Sequence, residues 1–85
     1  MDKDSIIDAI DKRVKSTEKK KYSIWTIGIT NDPERRKGEH NNPKYWMDWK
    51  ADSEQDARDI EEHFKKKEMK GGLGGGDNPT YVYIF

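Results

Sequence analysis

The spacing of apolar positions changes period several times along the chain, and each change marks an element. Over residues 4–15, Ile6, Ile7, Ile10 and Val14 recur at helical spacing behind Ser5 as a cap, which predicts an amphipathic helix. Residues 16–21, STEKKK, form a polar connector. YSIWTIGIT at 22–30 crowds aromatic and β-branched residues and predicts a strand. Its alternation places Tyr22, Ile24, Thr26, Gly28 and Thr30 on one face, with Trp25, Ile27 and Ile29 on the other. Asn31-Asp32-Pro33 then reads as a helix start, with Asp32 the N-cap and Pro33 where a missing N–H costs nothing. A short helix over 33–40 ends in the turn residues NNPK at 41–44. YWMDWKA at 45–51 predicts a second strand with Tyr45, Met47 and Trp49 on one face.

Asp52 or Ser53 opens a helix running to about residue 69, whose stripe of Ala57, Ile60 and Phe64 follows +3 and +4 spacing. GGLGGGD at 71–77 predicts a flexible, hairpin-like connector. TYVYIF at 80–85 has no alternating polar residue, as expected of a strand covered on both faces and central in its sheet. The expected fold is α+β, in the order α-β-α-β-α-β. It is a small three-stranded, mainly antiparallel sheet flanked by helices, with the C-terminal strand central. Residues 1–85 read as one domain, with 1–21 an N-terminal helix and basic connector and 22–85 the core.

Composition sharpens this picture. Hydrophobic residues are 31% and charged residues 40%, a balance that would suit a disordered chain. The three Trp, four Tyr and two Phe argue for a folded core instead, because they sit mostly in the strand-like runs and carry large buried area. With no cysteine, neither a disulfide framework nor a thiolate metal site is possible, and two histidines are too few for a histidine-rich cage. No apolar run approaches the roughly 20 residues of a membrane span. The acidic, amphipathic first residues are unlike a signal peptide, so a soluble, cytoplasmic protein without a membrane partner is expected. The net charge is zero, which speaks against tight nonspecific DNA binding. Two lysine-rich runs, over 12–21 and 65–70, suit the cation-favouring C-terminal ends of helices.

The chemistry concentrates in the short helix over 33–40. Arg36 and His40 lie four apart and share a face, while Arg35 and Glu39 have the spacing of an ion pair. Two cations at the end of a strand suit a phosphate, and they equally suit a solvated helix. The wider spacing is more specific. Thr26-Ile27-Gly28, then Thr30, Asn31-Asp32, Arg36 eight residues after Gly28 and His40 twelve after it, together resemble the GIY-YIG endonuclease superfamily. Downstream, SEQDARDIEEHF offers Glu61 four residues after Ala57, where that family carries a metal-binding glutamate. Helix geometry independently prefers Glu61: it lies about 67° from the centre of the apolar stripe, against about 167° for Glu62. The alternative for Glu61 is a boundary carboxylate paired with a nearby lysine.

The resemblance implies a metal-dependent DNA endonuclease acting on phosphodiester bonds. Arg36 would stabilise developing phosphate charge, His40 would assist near the attacking water, and Glu61 would hold Mg²⁺ or Mn²⁺. Arg35 would position the helix, and Gly28 and Thr30 would border the substrate. Two departures stand beside it. Thr26 occupies the position of a water-activating tyrosine, and residues 1–21 contain no counterpart of the family's first strand. TYVYIF supplies a candidate for that strand, with Val82-Tyr83 at its I/V-Y. The chain would then resemble a circularly rearranged member, in which Tyr83 or Tyr81 restores the phenol; both tyrosines equally suit a core. An inactive nucleic-acid-binding or protein-interaction module on the same fold is the alternative. GGLGGGD lacks the Gly-Lys-Ser/Thr ending of a P-loop and fits a connector better.

Overall fold

The computed structural model of the protein describes residues 1–72 and 78–85. The predicted glycine-rich connector over 71–77 falls mostly outside them. Helix α1 (Lys3–Ser16) is followed by a single 3₁₀ turn (Tyr22–Ile24), strand β1 (Thr26–Thr30), helix α2 (Pro33–Glu39) and strand β2 (Met47–Lys50). Helix α3 (Glu54–Lys66), strand β3 (Lys70–Gly71) and strand β4 (Tyr81–Ile84) complete it. The α+β class and the element order agree with the sequence reading, apart from β3.

The expectation of three strands needs correction, because the described residues form a four-stranded mixed sheet in the order β2-β4-β1-β3. β4 runs antiparallel to both β1 and β2, and so occupies the interior place its unbroken apolar sequence predicted. β3 pairs parallel to β1, with Thr26 opposite Lys70 and Ile27 opposite Gly71. At two residues, β3 is too short to carry an alternation pattern.

Several boundaries also move for local reasons. The cap of α1 is Asp2, whose carboxylate accepts from the Ser5 N–H at 2.8 Å, so Ser5 lies inside the helix. The strand predicted from residue 22 begins at Thr26, because Tyr22 leaves the sheet to stack on Phe64, with centroids 6.1 Å apart. Its hydroxyl donates to Asp11 at 2.6 Å. Residue 45 likewise precedes β2. Helix α3 stops at Lys66 rather than 69, where Glu68 turns left-handed at φ 80°. The N–H groups of Glu68 and Met69 donate to the carbonyls of Lys65 and Phe64, a Schellman closure without its usual glycine.

One face of the sheet is the core. Ile27, Ile29, Val82 and Ile84 meet Ala57, Ile60 and Phe64 of α3 and Ile6, Ile10 and Val14 of α1. The helices are tied near both ends by Lys3–Asp59 and Lys67–Asp11, each at 3.5 Å. The opposite face is set by register. Gly28 lies across from Tyr83 and Thr30 across from Tyr81, while Asp48 and Lys50 of β2 flank the same two tyrosines. No helix among the described residues is long and apolar enough to cross a membrane.

Candidate functional site

Helix α2 delivers Arg36 and His40 to this second face. Asp32 caps it as predicted, accepting from the Arg35 N–H at 3.1 Å, and Pro33 occupies its first turn. Thr30 Oγ1 accepts from the Asp32 N–H at 3.0 Å and fixes the exit from β1. Thr30 is wholly buried, so its place is the turn itself. His40 is the C-cap of α2, and Asn41 and Asn42 reverse the chain behind it with φ of 63° and 49°. That reversal brings Trp46 back over the sheet.

The centre of the face is Tyr83. Its ring lies directly on Gly28, where an added Cβ would stand 2.3 Å from both Cζ and the hydroxyl oxygen. Gly72 closes on the same hydroxyl and donates its N–H to the Ile27 carbonyl at 2.6 Å. His40 Nε2 sits 3.3 Å from the Tyr83 hydroxyl, within hydrogen-bond reach. Tyr83 is 0% exposed, and burial raises its pKa above the ordinary phenol value. Arg36 pulls that pKa down, while Glu61 and Glu39 push it further up, so all three charges lie within electrostatic reach of the phenol. The phenol therefore stays protonated through neutral pH.

Arg36 is 8% exposed, which sets it apart from a solvated helix residue. Its Nη1 lies 3.2 Å from Glu39 Oε1, one helical turn away. The sequence paired Glu39 with Arg35 instead; Arg35 is exposed and stands outside this junction. The Glu61 side chain on α3 is 17% exposed, against 68% for Glu62, in keeping with their angles from the apolar stripe. Lys65 Nζ lies 3.6 Å from Glu61 Oε1, so the boundary carboxylate does have a lysine neighbour.

Of the predicted residues, His40, Tyr83 and Gly28 thus meet at one hydroxyl, and Arg36 and Glu61 act on it electrostatically. Tyr81 lies two residues along the same face, and its ring meets the Lys50 ammonium at 5.9 Å rather than His40. Trp46 and Phe85 were missed by the sequence reading. Trp46 stacks on Tyr83 at 4.5 Å and 11°, and Phe85 packs 4.7 Å from the His40 ring. Period-two alternation was their signal, since Trp46 must oppose Tyr45 and Met47, and Phe85 must follow Tyr83 on its face. Compared with known proteins, the chain matches no family model, no curated protein and no solved structure.

Proposed function

We propose that the protein is a GIY-YIG-like, divalent-metal-dependent endonuclease domain acting on DNA phosphodiester bonds in the cytoplasm, with its phenol supplied by Tyr83. The observation that supports this reading is the meeting of Tyr83 and His40 at 3.3 Å with Arg36 and Glu61 acting on the same hydroxyl. Thr26 carries no phenol, and the neighbouring strand provides one opposite Gly28. The interior position of β4 is what a circular rearrangement of that family requires.

In this reading Arg36 offers a planar fork of donors suited to phosphate oxygens, held in place by Glu39. His40 takes the proton of the attacking water at the ring nitrogen that does not face Tyr83, and the neutral Tyr83 phenol orients the imidazole through its contact at Nε2. The described residues contain no group of three or more carboxylates and imidazoles. A Mg²⁺ ion that keeps its waters and shares a substrate phosphate needs only one or two carboxylates, and the partly exposed Glu61 meets that requirement. When bound, such an ion supplies Lewis-acid and leaving-group stabilisation.

The test is incubation of purified protein with single-stranded, duplex and branched DNA in Mg²⁺ or Mn²⁺. Cleavage is expected, abolished by Arg36→Ala and Glu61→Ala and reduced about 100-fold or more by Tyr83→Phe. Intact DNA under every condition would remove the reading. A second reading, binding without cleavage, draws on the complete burial of Tyr83. It predicts salt-sensitive DNA binding with no products in either metal.

A further inference from the structure

Three rings on the open sheet face lie nearly parallel. Trp46 is stacked on Tyr83 at 4.5 Å and 11°, and on Phe85 at 5.9 Å and 15°. Tyr83 and Phe85 are themselves inclined by only 11°. Tyr83 is fully buried, whereas Trp46 keeps part of its surface in solvent. The Trp46 ring is also held in its plane, because Nε1–H donates to Asp48 Oδ2 at 2.7 Å. A large aromatic plate is therefore fixed in advance, supported beneath and partly open to solvent.

Two cations belong to the same side of the sheet. The Lys50 ammonium lies 5.9 Å over Tyr81, and Arg36 lies within electrostatic reach of Tyr83. An aromatic plate bordered by cations is complementary to a base with its attached phosphates. A base inside a duplex has both faces occupied by its neighbours and presents only its edge. A ring plate can therefore engage only a base that has left the stack.

We infer that this face receives an unpaired nucleotide, its base stacked on Trp46 and its phosphate on the Arg36 side, so that the substrate is single-stranded or splayed DNA rather than intact duplex. The inference deepens the endonuclease reading and rests on it for the choice of DNA. It assigns Trp46 a contact with substrate and no part in the chemistry.

The test measures binding of a labelled 12-nucleotide single strand, and of the same sequence as duplex, in EDTA so that no cleavage intervenes. The single strand should bind at least about tenfold more tightly than the duplex. Trp46→Leu should weaken single-strand binding by roughly tenfold to a hundredfold, the usual consequence of losing one stacked base, and leave duplex binding unchanged. Trp46→Phe keeps a ring and should stay within about threefold of the parent. Should Trp46→Leu fail to fold, ¹⁹F spectra of the parent chain carrying 5-fluorotryptophan decide, with Trp46→Phe assigning the resonance. The Trp46 signal should move on adding single strand while that of the buried Trp25 stays. Equal affinity for both forms, failure to bind either form, an unaffected leucine variant or an unmoved Trp46 signal would overturn the inference. DNA cleavage without a Trp46 effect would preserve the endonuclease reading and remove this one. Single-strand binding through Trp46 with no cleavage in either metal would do the reverse.

Discussion

Gly28 and Gly38 make opposite demands on the same small residue. A Cβ at Gly28 would stand 2.3 Å from Tyr83, a ring pinned in turn by Trp46 and His40. Gly28→Ala should therefore cost about 1–3 kcal/mol, as overpacking of a filled site does. A Cβ at Gly38, inside α2, meets nothing within 4 Å. Gly38→Ala should stabilise by about 0.4–1 kcal/mol through the unfolded chain. Urea denaturation of the two variants beside the parent checks both signs. Tyr22 offers a test by pH. Burial first, then its bond to Asp11, pushes its pKa up to about 12. A phenol whose folded pKa lies above its unfolded value of about 10 stabilises fully below pH 10 and loses that contribution as pH rises toward 12. The unfolding midpoint should fall across that window, and less steeply in Tyr22→Phe. Gly28 stood out in the sequence through a motif, but its reason, the Tyr83 ring, lies 55 positions downstream and only the sheet register reveals it.

Elements were readable where local chemistry dictated them and misread where it did not. Asp32-Pro33 announced α2, and the Ala57, Ile60 and Phe64 stripe announced α3 and the direction of Glu61. The end of α3 was placed too late because its left-handed residue is Glu68, not the glycine that usually signals such a stop. Glu68→Gly should consequently stabilise by about 1 kcal/mol, the left-handed penalty of a residue with a Cβ. Thermal unfolding of that variant is the measurement. The arginine partner was misassigned for a tertiary reason: Arg36 turns toward the sheet, is buried there, and takes Glu39 with it. Spacing along one helix allowed both pairings, and what distinguishes the two arginines is burial, Arg36 being buried and Arg35 exposed.

At the scale of the molecule, the sheet divides two jobs. Its core face holds the fold together, where Ile84→Ala should cost about 2–5 kcal/mol in denaturant unfolding. Its other face carries the charged and aromatic groups around Tyr83. Formal neutrality hides this division, because 17 cations and 17 anions cancel in the sum while Arg36 and Lys50 sit among rings on one side. The α+β class could be inferred from the period of the apolar positions, and the interior place of β4 from its lack of alternating polar residues. Mixed strand direction could not, since parallel pairing to β3 depends on two residues with no pattern of their own.

The interior position of β4 has a consequence for how the chain is made. β1 and β2 do not touch as sheet neighbours; each pairs with β4, which is synthesised after both. At about 5–20 residues per second, β1 waits several seconds for its partner, while helices form within about a microsecond. The helical layer is then ready first, with a slot one strand wide left between β1 and β2. Such a slot should accept the strand in trans. A chain shortened to residues 1–79 should lack cooperative unfolding, and a synthetic peptide of residues 80–85 should restore it in a concentration-dependent way.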